Sequence, residues 1–169
     1  MKRIAIVAAA FAAGLVLVAI AVAGANSNWS THANGSFEVP VRDTQGQAQA
    51  IFNLSEEGDS LDFKLIASNI EGVTQAHIHC GPPGANGAVL VFLYGFNAAG
   101  VSPHGVLNEG TITDANVIDR TALQCPDRWG AVDSFDDLIQ RMREGGAYVN
   151  VHTLVFPGGE IRGDIPADE

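Results

Sequence analysis

Apolar and polar residues alternate with a period of two through most of this 169-residue chain. Ala48, Ala50, Phe52 and Leu54 fall on one side, with Gln47, Gln49 and Asn53 on the other; after Glu56-Glu57-Gly58-Asp59, Leu61, Phe63 and Leu65 alternate with Asp62 and Lys64. Two such runs around a Gly-containing turn predict a β-hairpin. Phe37, Val39 and Val41 alternate with Ser36, Glu38 and Pro40, which predicts a first strand, and Pro40 suggests an edge position for it. The polar residues 26–34 ahead of it read as a loose segment. Gln75–Cys80 reads as a strand and Gly81–Gly87 as a turn of Gly, Pro and Asn. Val89–Tyr94 is apolar without alternation, which predicts a central strand covered on both faces. A loop over Gly95–Gly105, a short strand at Thr111–Thr113, and a last hairpin of Tyr148–Val155 and Glu160–Ile165 around Pro157-Gly158 complete the β pattern.

One stretch has a different period. Phe135, Leu138, Ile139 and Met142 stand at i, i+3, i+4 and i+7, one face of a helix near residues 134–144. Ser134 and Asp137 suit its start, and Gly145 its end. Many short strands, Gly/Pro turns and one helix predict an all-β fold, an antiparallel sandwich or barrel, with a sandwich of the immunoglobulin-like or superoxide-dismutase-like kind as the expected form. No internal repeat or linker divides residues 35–165, and 166–169 reads as a tail.

The N-terminus stands apart from this pattern. Lys2 and Arg3 precede an uncharged apolar run from Ile4 to Ala25, which ends in the small-x-small triplet Ala23-Gly24-Ala25. Residues 1–25 therefore read as a secretory signal peptide. At 22 residues the run is also long enough to anchor the chain if it is not cleaved, and that is the only route to a membrane the sequence offers. Either reading places the rest outside the cytoplasm, secreted or at a cell surface. Removing residues 1–25 moves the formal net charge from −10 to −12. No positive field remains to neutralise phosphates, so nucleic acid is not an expected partner. Asn28-Trp29-Ser30, Asn34-Gly35-Ser36 and Asn53-Leu54-Ser55 fit the N-glycosylation pattern. In an oxidising compartment the only two cysteines, Cys80 and Cys125, read as one disulfide. The alternative is Cys80 as a thiolate ligand beside His79.

The candidate chemistry lies in Ala76-His77-Ile78-His79. Residues two apart share a strand face, so His77 and His79 can offer two imidazoles to one ion. His152, on a later strand, is a third candidate, and the loop residue His104 a candidate fourth; His32 would join only if the N-terminal segment folded back. Three imidazoles with an open position suit copper, and zinc less well. The alternative is three histidines that satisfy hydrogen bonds inside the sandwich. Glu160, Arg162 and Asp164 share a face of the last strand. They read either as an ordinary charge pair, Glu160 with Arg162, or as a carboxylate that orients a ligating imidazole. No nucleophile elbow, phosphate loop, dinucleotide fingerprint or H-E-x-x-H motif is present.

Residues 35–165 resemble the chordin-type (CHRD) domain family. The resemblance rests on Phe37-Glu38-Val39-Pro40, on Ala76-His77-Ile78-His79 with the Gly81–Gly87 turn, and on Gly110-Thr111-Ile112-Thr113. It rests above all on Gly146-Ala147-Tyr148-Val149-Asn150-Val151-His152-Thr153 and Pro157-Gly158-Gly159-Glu160-Ile161-Arg162-Gly163. It implies an extracellular or cell-surface β-sandwich. Growth-factor antagonism does not carry over, because the cysteine-rich modules that accompany the domain in animals are missing. The ligand pattern alone is similar to that of copper/zinc superoxide dismutases, but the surrounding residues do not match that family.

Two functional expectations follow. One is a non-catalytic surface or envelope module that binds an unidentified extracellular partner. The other is a copper-binding protein, using His77, His79 and His152, with redox or superoxide-handling activity.

Overall fold

The computed structural model describes residues 28–125 and 130–168. The expectations for residues 1–25, cleaved leader or anchor, lie outside these residues. Among the described residues no helix is long and apolar enough to cross a membrane.

Eight strands form a single antiparallel sheet in the order β5-β4-β7-β8-β1-β2-β3-β6. They are β1 Asn28–Asn34, β2 Gln47–Leu54, β3 Leu61–Ser68, β4 Val73–Cys80, β5 Val89–Tyr94, β6 Gly105–Ile112, β7 Ala147–Thr153 and β8 Ile161–Asp164. The two ends of the sheet approach each other, and Asn108 Nδ2 on β6 donates to the Leu93 carbonyl on β5 at 2.6 Å. The expected all-β antiparallel fold is present, as one nearly closed sheet rather than two separate layers. Its interior holds Phe52, Leu61, Leu65, Ile78, Leu90, Leu93, Val149, Val151 and Ile161.

The β2–β3 hairpin is in the expected register, with Phe52 opposite Phe63 and Leu54 opposite Leu61. The helix is also as expected: α1 spans Phe135–Arg143, the Ser134 side chain accepts from Asp137 N, and Phe135, Leu138, Ile139 and Met142 are buried. The Gly146 N–H closes its end on the Arg141 carbonyl, with Gly145 at φ 69°, the left-handed conformation that glycine adopts at low cost.

Three expectations are corrected. Residues 28–34 are not loose: they form β1, inserted between β8 and β2. Trp29, Thr31 and Ala33 point inward, an apolar face too weak for the sequence pattern to declare. The Phe37–Val41 run is not a strand. Gly35–Phe37 form a 3-10 turn capped by Asn34, Glu38 is buried, and Phe37 and Val41 are exposed. Finally, β5 is not central but ends the sheet. Its carbonyls are capped without a further strand, since Ile118 N–H donates to Leu90 O and Arg120 Nε to Val89 O. Those caps let Leu90, Val91 and Leu93 be buried at the end of a sheet.

Candidate metal centre

Strands β4 and β7 pair with Ala76 opposite Val151, Ile78 opposite Val149 and Cys80 opposite Ala147. All six belong to the apolar core. The intervening pairs, Gln75–His152, His77–Asn150 and His79–Tyr148, occupy the other face. There His77, His79 and His152 are only 2 %, 8 % and 6 % exposed, because loops cover that face in place of a second sheet. The Gly81–Gly87 turn is tied to the segment after β1 by Asn86 Nδ2 donating to Val39 O. Glu38 of that segment accepts from Asn150 Nδ2 at 2.6 Å, and Phe92 on β5 meets the His77 ring edge-on at 4.5 Å.

The three imidazoles converge. The ring centroids of His77 and His152 are 4.8 Å apart, those of His77 and His79 5.3 Å, and those of His79 and His152 5.8 Å. One nitrogen from each lies within 4.8 Å of the others. His77 Nδ1 and His152 Nε2 are 3.0 Å apart. Two nitrogens at that spacing, each about 2.0–2.1 Å from one ion, subtend roughly 95°. A ring tilt of under ~1 Å brings the set within the ~4.1 Å that two such bonds can span.

Backbone carbonyls set the tautomers. His79 Nδ1–H donates to Gly87 O at 2.9 Å and His152 Nδ1–H to Pro157 O at 3.0 Å, which places the lone pair of each ring on Nε2, the atom that would ligate. His77 Nδ1–H then donates to His152 Nε2, a proton that a bound cation would displace or relocate. His77 Nε2 and His79 Nε2 are buried with no hydrogen-bond partner, which is costly for polar atoms in a hydrogen-bonded core. Burial is the main reason all three rings stay neutral. The pKa of His77 is lowered to about 3, with His152 and His79 adding to the effect. That of His79 is lowered to about 4 against the raising effect of its Gly87 hydrogen bond. His152 is lowered by burial too, opposed by Pro157. Neutral imidazoles are the form that binds metal. An all-nitrogen triad of this kind fits a copper or zinc ion.

The other candidates separate. His104 does not belong to this group; it lines a surface hollow with Asn69, Glu71, Phe156 and Glu160. His32 is exposed on β1. Cys80 and Cys125 are joined in a disulfide, which excludes the thiolate-ligand alternative. Glu160 neither pairs with Arg162 nor orients an imidazole. It accepts from Thr44 Oγ1 and Thr153 Oγ1, both at 2.6 Å, and the orienting role falls to the two backbone carbonyls. Arg162 pairs instead with Asp164 at 2.7 Å. The sequence reading missed Tyr148, whose ring stacks on His79 at 5.0 Å and 15°, and Gly87. Tyr148 was visible in principle, four residues before His152 and therefore on the same strand face.

Compared with known proteins, the chain matches the model of the CHRD domain over residues 29–165, so the matched region includes β1. No curated protein matches the chain, and no solved structure does.

Proposed function

The chain belongs to the CHRD domain family, and from that premise we propose that it is an extracytoplasmic binding module whose functional centre is a copper site formed by His77, His79 and His152. The observation that carries this reading is the convergence of three neutral imidazoles, two with their tautomers fixed by backbone carbonyls and one of these, His79, with a buried, unpartnered Nε2. Copper is favoured over zinc because it tops the affinity order for nitrogen donors. When bound, the ion would supply Lewis acidity and one-electron chemistry. The residues would supply neutral donors, an aromatic wall from Phe92 and Tyr148, and exclusion of bulk water. The buried disulfide fits an oxidising compartment. The acidic chain, at −10, attracts cations, and the reading stops at binding.

The test is copper and zinc content of the purified protein beside a His77→Ala/His79→Ala variant shown by circular dichroism to be folded. About one equivalent of copper in the wild type and none in the variant supports the reading. No metal in either after loading with copper overturns it and returns the histidines to a hydrogen-bonded packing role.

A further inference from the structure

The least economical feature beside the triad is Arg162. Its side chain is fully buried, where an unpaired charge would be strongly destabilising. Three of its partners lie in one turn. Nη1 donates to Ala85 O at 2.8 Å and to Asn86 Oδ1 at 3.4 Å, and Nη2 donates to Pro82 O at 2.9 Å. Nε donates to Asp164 Oδ1 at 2.8 Å, and the guanidinium lies 3.6 Å over the Tyr148 ring.

Tyr148 connects this cation to the histidines. Its strand, β7, lies between β8, which carries Arg162, and β4, which carries His79. Its ring therefore stands between the guanidinium and the imidazole. Its hydroxyl accepts from the Gly87 N–H at 3.1 Å, and the carbonyl of the same Gly87 accepts from His79 Nδ1–H. One residue of the turn is thus held by Tyr148 through its N–H and holds His79 through its C=O. Gly87 packs so closely on β4 that a Cβ there would sit on the Cys80 carbonyl.

We infer that Tyr148 and Arg162 are positioning residues for the histidine site: together they hold the Gly81–Gly87 turn so that Gly87 fixes the proton of His79 on Nδ1 and presents its Nε2 to the ion. The inference rests on the copper reading for its consequence, but the positioning itself is a property of the metal-free protein. Without the clamp, His79 can place its proton on Nε2, where it blocks ligation. Arg162 also acts as a planar fork that reaches three acceptors of one turn while stacking on a ring, a combination lysine cannot reproduce.

The test uses Tyr148→Phe, which keeps the ring and removes only the acceptor of the Gly87 N–H, and Arg162→Lys, which keeps the charge and carries the same test if the first variant is unstable. Nitrogen-15 NMR of the imidazoles reads the His79 tautomer in the metal-free proteins. Competition with a chelator reads Cu(II) affinity, and electron paramagnetic resonance reads the ligand field. In the wild type His79 is protonated at Nδ1 alone. In the variants the tautomers mix, one equivalent of Cu(II) still binds, its affinity falls ~10- to 100-fold, the range for residues that orient a ligand, and the copper hyperfine splitting changes. A variant that keeps the wild-type tautomer, or the wild-type affinity and spectrum, overturns the inference. If the wild type binds no copper yet shows the fixed tautomer, and the variants lose it, the copper reading fails while the positioning of His79 stands.

Discussion

Acid should destabilise the metal-free protein at a pH where most of its carboxylates have not begun to titrate. His77 and His79 have folded-state pKa values of about 3 and about 4, whereas in the unfolded chain they return to about 6.5. Near pH 5 the unfolded state binds two protons that the folded state refuses. The stability that depends on these rings is complete above about pH 6.5 and is lost as the pH falls toward the folded values. From pH 7.5 to 5.0 the loss is roughly 2 kcal/mol per ring, about 4 kcal/mol for the pair. That is a large part of the ~5–15 kcal/mol that holds a domain together. His152, lowered too, adds in the same direction. Glu38, raised by burial against its Asn150 hydrogen bond, contributes with the opposite sign, since its folded form takes up a proton more readily than the unfolded chain. Urea unfolding followed by circular dichroism, in chelator at pH 7.5, 6.5, 5.5 and 5.0, measures the slope. The midpoint should move steadily to lower urea, and a His77→Gln/His79→Gln variant should show a much flatter dependence. A wild-type midpoint unchanged from pH 7.5 to 5.0, or a double variant with the wild-type slope, refutes the claim that the rings are held neutral by burial.

Two further predictions test the supports of the site. The disulfide closes a loop with a sequence separation of 45, worth about 4 kcal/mol of chain entropy, so Cys125→Ser should lower the melting temperature by about 10 °C; scanning calorimetry checks this, and an unchanged melting temperature would show that the bridge constrains nothing. Gly87→Ala should force the turn away from the Cys80 carbonyl and lower copper affinity by at least ~10-fold. Alanine at Gly58, which meets nothing within 4 Å but has φ 76°, should cost only about 1 kcal/mol of stability and leave copper affinity intact, as isothermal titration would show.

What the sequence revealed was local. The period-two alternation of Ala48–Leu54 and Leu61–Leu65 marked a hairpin because Ala48, Ala50, Phe52, Leu61, Phe63 and Leu65 all face the core. Phe135, Leu138, Ile139 and Met142 fixed the helix for the same reason. The same alternation put His77 and His79 on one face, but it could not place β4 beside β7, the pairing that brings in His152. Strand order depends on partners far apart in the chain. β1 was hidden because its inward residues are Trp29, Thr31 and Ala33, two of them small. The groups that orient the histidines were out of reach altogether. They are the carbonyls of Gly87 and Pro157, and a backbone acceptor leaves no mark in the side-chain pattern. Arg162 was legible as sharing a strand face with Glu160 and Asp164, though not as buried or as the anchor of a turn about eighty residues earlier.

The placement of β1 between β8 and β2 has a consequence for the order in which the molecule can be completed. Of the described strands, the earliest in the chain needs the latest. Asn34 pairs with Arg162, Thr31 Oγ1 donates to the Asp164 carbonyl at 2.7 Å, and the Trp29 indole reaches Asp168 at 3.1 Å. Until residue 164 has left the ribosome, β1 and β7 both present unpaired edges, the kind of template on which chains aggregate, and the sheet cannot come round on itself. Closure is therefore a late, long-range event, slow by the usual dependence of folding rate on sequence separation. Because Arg162 arrives with that last strand, the turn that steadies His79 is secured only then. A growing or prematurely ended chain would carry all three histidines without the strand that secures the turn.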